Sequence, residues 1–287
     1  MSAAAADMAK RAARTVTSGW GRVSAPGRML PDFLICGAQR CGTTSLYRAV
    51  AKHPDVAPPL FHKGVHYFDT ASRFARGTGW YQGHFPLRVL ADRRASSGRA
   101  VTGEASPYYL FHPLAGARIA QVLPEARLIV LLRDPVERAF SAHKQETGRG
   151  FETATFEQAL ALEDERLAGE EERLRADPAY QSFHHQHHAY RRRGRYAVQL
   201  DALCATVGRE RVLVVETDEL FAPGSDAWDQ TLRHIGISAW DPGVVPRANA
   251  RPSRPIPDAA RRELEAHFEP YDARLAAYLG REPSWRR

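Results

Sequence analysis

The residues best arranged for chemistry are Gly37-Ala-Gln-Arg-Cys-Gly42-Thr43-Thr44-Ser45, directly after the apolar run Phe33–Cys36. A short strand that meets a glycine loop and then hydroxyl residues opening a helix has the layout of a phosphate cradle. Backbone N–H groups and the positive end of the helix dipole face the anion there. The glycine spacing is that of a Walker A loop, but Thr43 stands where that loop has its lysine. A basic residue comes instead from within the loop, at Arg40. The pattern predicts a bound phosphate other than the β- and γ-phosphates of ATP.

A second cluster begins at Leu128-Ile-Val-Leu-Leu-Arg133-Asp134-Pro135, with Ser141 two turns into the following helical pattern. An arginine at the carboxyl end of a strand lies where open α/β sheets bind ligands, and its planar fork matches a phosphate. Taken alone, Arg133 with Asp134, or Arg138 with Glu137, would read as a surface ion pair. Beside a phosphate loop at the same sheet edge, the ligand reading prevails.

These residues require a sheet to align them. Strands are expected at Phe33–Cys36, Leu128–Leu132 and Val212–Val215, with a shorter one near Val101–Thr102. Helices are expected at Thr44–Ala51, Leu114–Val122, Pro135–Thr147, Phe156–Ala176, Arg195–Val207, Ala227–Ile235 and Asp258–Leu279. Short apolar strands separated by helical patterns predict an α/β fold, P-loop-like, three layers deep (α/β/α) around a central parallel sheet. Residues 1–30, rich in Ala and Arg without an apolar stretch, read as a weakly ordered basic segment, and 31–287 as a single domain. The proline-rich stretches Pro54–Pro59 and Pro242–Pro257 read as loops.

Composition narrows the ligand class. The 287 residues are 44% hydrophobic and 25% charged, ordinary for a soluble globular protein. Forty Lys and Arg against 33 Asp and Glu leave a net charge of +7, which suits anionic ligands. No apolar run approaches the ~20 residues that cross a bilayer, so no membrane insertion is expected. Cys36, Cys41 and Cys204 show neither metal-ligand spacing nor an even framework, which predicts a reducing compartment. His184, His187 and His188 share a helical face, yet no carboxylate adjoins them in sequence to complete a mixed metal site. Arg191-Arg192-Arg193 with Arg195 lacks the aromatic interleaving of a nucleic-acid surface, so no nucleic-acid partner is expected and a solvated face, or help with a nucleotide phosphate, is. Most of the charge in Phe156–Ala176 likewise reads as a solvated face.

Taken together, these motifs resemble the PAPS-dependent sulfotransferases (PAPS is 3′-phosphoadenosine 5′-phosphosulfate), in particular the heparan-sulfate-type domain and its bacterial relatives. Gly37-Ala-Gln-Arg-Cys-Gly-Thr-Thr-Ser45 resembles their 5′-phosphosulfate loop, and Arg133-Asp-Pro-x-x-Arg138-x-x-Ser141 their 3′-phosphate motif. Lys63-Gly-Val-His-Tyr-Phe-Asp69, Gly103-Glu-Ala-Ser-Pro-Tyr-Tyr109, Gly194-Arg-Tyr196 with Gln199-Leu200, Arg211-Val-Leu-Val-Val215 and Leu279-Gly-Arg-Glu-Pro-Ser-Trp285 follow in the family's order. The resemblance implies PAPS as donor, PAP as product, no metal, and transfer to a hydroxyl, or less readily an amine, of a small-molecule or glycan acceptor. A bacterial cytosolic enzyme acting on a carbohydrate, glycolipid or secondary metabolite fits. Carried over by position, Gly37, Arg40, Cys41, Gly42, Thr43, Thr44 and Ser45 would hold the 5′-phosphosulfate, Arg133 and Ser141 the 3′-phosphate, and Tyr196 the same nucleotide. Arg251 and Arg254 lie near where related enzymes place a third nucleotide-contacting loop. The oligomeric state is left open.

One position departs from the family. Its pattern Lys-Glu-x-His-Phe-Phe-Asp has the Glu as base, and here that place is Gly64. His66 paired with Asp69 is then the expected base, with Glu104 as runner-up and Lys63 on the transferring sulfonate. Two alternatives remain: a PAP- or PAPS-binding or partner-binding protein of the same fold without turnover, and a P-loop nucleotide kinase, for which the Walker lysine is missing.

Overall fold

In the computed structural model, which describes residues 24–220, 222, 225–243 and 255–287, four apolar segments form the sheet. They are β1 (Phe33–Gly37), β2 (Gly103–Ala105), β3 (Arg127–Leu132) and β4 (Val212–Glu216). The strand order is β2-β1-β3-β4 and every neighbouring pair is parallel. β1 is buried throughout and β3 beyond its first residue. Continuous apolar runs, rather than alternation, are what strands covered on both faces require. The chain runs from β1 out to β2, then crosses back to β3 on the other side of β1. Such a reversal opens a crevice at the carboxyl ends of β1 and β3.

β2 begins after the expected Val101–Thr102, because Asp32 claims that segment first. Its carboxylate accepts from Thr102 N at 2.8 Å and its own N–H donates to Thr102 O at 2.7 Å. Val101 keeps only an isolated bridge to Val56. Gly103 lets β2 lie against β1, since a Cβ there would come within 2.5 Å of Phe33 O.

Six longer helices flank the sheet: α1 (Thr43–Val50), α2 (Ala115–Val122), α3 (Pro135–Gly148), α4 (Tyr196–Val207), α5 (Ala227–His234) and α6 (Asp258–Leu279). α3 starts at once after β3 because Pro135 occupies its first turn and the Asp134 carboxylate accepts from Val136 N at 2.8 Å. The single helix expected over Phe156–Ala176 is three short ones, Phe156–Ala161, Glu163–Arg166 and Glu170–Ala176. Gly169, at φ 70°, separates the last two. Their charge is not all solvated either: Glu163 is fully buried and accepts from the N–H groups of Arg191 and Arg192.

The sheet and its flanking helices share one apolar cluster, and α3 and α6 share a second around Val136, Tyr190, Leu264 and Phe268. The part of the N-terminal segment that is described, from Ser24, is tied to the fold rather than weakly ordered. Met29 is buried and donates its N–H to Pro86 O at 2.9 Å. Residues 1–23 lie outside the described residues.

Ile129 is fully buried in β3, between β1 and β4. Ile129→Ala is expected to lower unfolding free energy by about 2–5 kcal/mol with an unchanged denaturant slope, measured by urea titration.

Candidate active site

β1 delivers the chain to its carboxyl edge at Gly37, and α1 opens five residues later behind Gly42, whose φ of 82° makes the turn. Thr43 and Ser45 are buried and Thr44 is half-buried at the head of the helix. Arg40, at φ 72°, extends to α3: its Nε donates to Ser141 Oγ at 3.0 Å and an Nη to Gln145 Oε1 at 2.6 Å. The two expected phosphate motifs therefore meet through Arg40 and Ser141. Tyr196 closes the junction from below. Its hydroxyl donates to Arg133 O at 2.8 Å and lies 3.5 Å from Cys41 Sγ. From the end of β4, Thr217 Oγ1 donates to Cys41 O at 2.6 Å. Gln145 and Thr217 were not foreseen; Gln145 follows Ser141 by four residues, a spacing that puts both on one helical face.

Arg133 is partly exposed at the end of β3, 3.7 Å from Glu137 Oε2. Neither surface pair weighed from the sequence forms. Asp134 caps α3, and Arg138 is fully buried, donating to Tyr190 O. Arg251 and Arg254 fall outside the described residues.

The second group stands over β2. Glu104 is fully buried at the β1–β2 ladder and accepts from four donors: Val65 N at 2.5 Å, Ser106 Oγ at 2.8 Å, Tyr81 OH at 2.7 Å and Tyr109 OH at 2.8 Å. Such a carboxylate is an anchor for the 63–69 segment; its lone pairs are already engaged. Ser106 Oγ accepts from His66 N at 3.0 Å, so β2 holds two successive residues of that segment. A Cβ on Gly64 would lie 2.5 Å from Ala105 O, leaving no room for any side chain where the resemblance has a glutamate.

His66 is turned to φ 52° and shares a hydrogen bond of 2.8 Å between Nδ1 and Asp69 Oδ2. Asp69 also accepts from Thr70 Oγ1 at 3.0 Å. The His66 side chain is 39% exposed and that of Asp69 is 1% exposed, so the imidazole faces out and the carboxylate backs it. Burial pulls the His66 pKa down, but the hydrogen bond and charge of Asp69 more than offset this, and the net direction is up. Lys63, half-buried beside it, has its pKa lowered by burial, with the Glu104 charge opposing.

Similarity to known proteins decides what family this is. Residues 30–215 match the sulfotransferase domain. The chain belongs to the sulfotransferase family. A sulfotransferase from Alicyclobacillus acidocaldarius superposes with a TM-score of 0.62 at 31% identity, over 90% of this chain and all of that one. Heparan sulfate glucosamine 3-O-sulfotransferase 6 of Mus musculus is 26% identical over 91% of this chain and 76% of its own length. The membrane-associated sulfotransferase kil1 of Dictyostelium discoideum is 37% identical over 40% of this chain, a match that spans only 22% of that protein. The chain spans less than a quarter of the length of kil1 and of the Caenorhabditis heparan sulfate N-deacetylase/N-sulfotransferases that it also matches. Among the described residues no helix is long and apolar enough to cross a membrane.

Within this sulfotransferase, the histidine and arginine runs differ from expectation. Carboxylates do adjoin the histidines, brought there by α3 and the segment after it. His187 Nδ1 lies 2.9 Å from Glu146 Oε2, and His188 Nε2 lies 3.8 Å from Glu152 Oε2 while donating to Phe151 O at 2.9 Å. His184 and His188 are joined Nδ1 to Nδ1 at 2.8 Å. Among the described residues, no three His, Cys, Asp or Glu side chains are placed to hold a metal. The arginines are not a solvated face: Arg191 is ion-paired to Glu163, Asp164 and Glu263, and Arg193 is buried.

Glu104→Ala would leave two tyrosine hydroxyls, Ser106 and the Val65 N–H without their acceptor. It is expected to cost about 3 kcal/mol or more in thermal or urea unfolding, with Glu104→Gln costing less.

Proposed function

We propose that this sulfotransferase moves the sulfuryl group of PAPS to a hydroxyl of a carbohydrate, glycolipid or secondary-metabolite acceptor, with His66 as general base. The observation that carries this reading is backbone strain. Among the described residues Arg40 and His66 are the two non-glycine residues at positive φ. A left-handed conformation costs a side-chain-bearing residue of order 1–3 kcal/mol and persists where surrounding structure enforces it. Here the enforcing contacts are those of Arg40 to Ser141 and Gln145, and of His66 to Ser106 and Asp69. One strained position is the one that the resemblance sets on the 5′-phosphosulfate, and the other is the histidine left as base where the family's glutamate is Gly64.

The roles follow from the chemistry. Gly37, Cys41, Gly42, Thr43, Thr44 and Ser45, at the head of α1, suit the 5′-phosphosulfate, and Arg133 with Ser141 suits the 3′-phosphate. Tyr196 supports both by holding Arg133 O against the loop. In the transfer the acceptor oxygen forms a bond to sulfur as the bond from sulfur to the bridging phosphate oxygen breaks. The acceptor proton passes to His66 Nε2, since Nδ1 is held by Asp69. Arg40 neutralises the charge that develops on the departing PAP, the task a Walker lysine and metal share in ATP enzymes. Lys63 faces the same chemistry as a second cation. Gly64 supports one competing reading, a PAP-binding protein without turnover, which PAP binding with no transfer to any acceptor would select.

Calorimetry is expected to show PAP binding at least about tenfold tighter than ATP, and Arg133→Ala losing more affinity for PAP than for the nucleotide lacking the 3′-phosphate. ATP preferred over PAP would remove the donor assignment. The base is neutral when active, so a pKa raised by Asp69 puts the acidic limb of kcat/KM above the ordinary imidazole value near ~6.5. Rates should rise through that limb with pH and then level. Asp69→Asn is expected to shift the limb to lower pH, and His66→Ala to cut kcat by about 10²–10⁴-fold at unchanged PAP affinity.

A further inference from the structure

The guanidinium of Arg193 is buried against two neighbouring aromatic rings, its Cζ 4.7 Å from the centre of Tyr108 and 4.9 Å from that of Phe111. It makes three hydrogen bonds that join separate parts of the molecule. One Nη donates to Gln39 Oε1, inside the phosphate loop, at 2.5 Å. The other donates to His185 O at 3.1 Å and Gln186 O at 2.8 Å, in the short helix Phe183–His187. That helix is pinned in turn, with His185 stacked on Phe111 at 4.2 Å between centres and its Nδ1 2.7 Å from Tyr108 OH. Burial and the Arg193 charge hold the His185 pKa well down, which favours a neutral ring sharing its hydrogen bond with the tyrosine hydroxyl. Burial also pulls Arg193 down, to about 10, which leaves it charged at neutral pH.

Gln39 directly precedes Arg40, the loop residue at φ 72°. A strained residue needs its neighbours fixed, and Gln39 is fixed by a buried cation packed against Tyr108 and Phe111. Charge-assisted bonds of this kind are roughly twice as strong as neutral ones. A flexible ammonium in place of the fork could not hold one side-chain oxygen and two carbonyls at once. We infer that Arg193 is a positioning residue for sulfuryl transfer, which acts through Gln39 to hold Arg40 and the phosphate loop in register with the wall of Tyr108, Phe111 and Phe183–His187. Its link to catalysis rests on the donor reading above; the tether itself does not.

Two readouts separate the two. In ligand-free protein, Gln39→Ala is expected to speed amide hydrogen exchange across residues 38–42 well beyond any change in the sheet strands, while Gln39→Glu, which keeps an acceptor for Arg193, leaves it slow. With PAP as the probe, Gln39→Ala and Arg193→Lys should each weaken binding by roughly tenfold, and the double variant should bind no worse than the weaker single one. Unchanged loop exchange in Gln39→Ala, or losses that multiply in the double variant, would overturn the tether. Faster exchange in a protein that does not bind PAP would keep the tether and remove the donor reading. Should Arg193→Lys not fold, Gln39→Ala carries the test, because the buried arginine stays in place.

Discussion

The site depends first on the parallel pairing of β1 with β3. That ladder sets Gly37 opposite Val130 and sends Ala38 N to Leu131 O at 2.8 Å, so the two strands end side by side at one edge. From that edge one strand continues into the glycine loop and the other into Arg133 and α3. Parallel neighbours require a crossover, and here it runs through β2 on the opposite side of β1. The crossover therefore does two things. It creates the crevice at the switch point, and it places Glu104 and Ser106 one strand away from the loop, where they hold Val65 and His66.

Buried charge is the second organising force. An ionised group taken from water costs several kcal/mol unless its hydrogen bonds are replaced. Glu104 replaces them with four donors, and Glu163 with two backbone N–H groups and the nearby Arg191. Arg193 does so in part, its two Nη atoms reaching two carbonyls and Gln39 beside two aromatic rings while its Nε has no hydrogen-bond partner. Each solution ties distant segments together, because one charge draws its partners from wherever the fold can supply them. Arg133 and His66, by contrast, keep side chains 37% and 39% exposed.

Much of this was readable along the chain. Strand runs that are apolar throughout, Pro135 after Asp134, and the Gly37–Ser45 spacing are local signals, and β1, β3, β4, α3 and α6 fall where these signals point. Less readable were features set by competition. β2 moved because Asp32, seventy residues upstream, bonds Thr102. The long acidic helix broke at Gly169 while Glu163 turned inward to serve Arg191 and Arg192. Histidines without a carboxylate in their own sequence met Glu146 and Glu152 from another element.

The sequence by itself determined the parallel α/β plan, the glycine loop with its internal arginine, and the absence of a carboxylate at position 64. These follow from periodicity, glycine spacing and residue identity, which need no knowledge of distant contacts. Only the tertiary structure decided why no side chain fits at position 64, that His66 and Asp69 are backed by Glu104 and Ser106, and that Arg193 serves the loop rather than solvent. Those outcomes rest on desolvation and on hydrogen bonds between residues separated by tens to more than a hundred positions. Such partners become neighbours only once β2, β1 and β3 have packed.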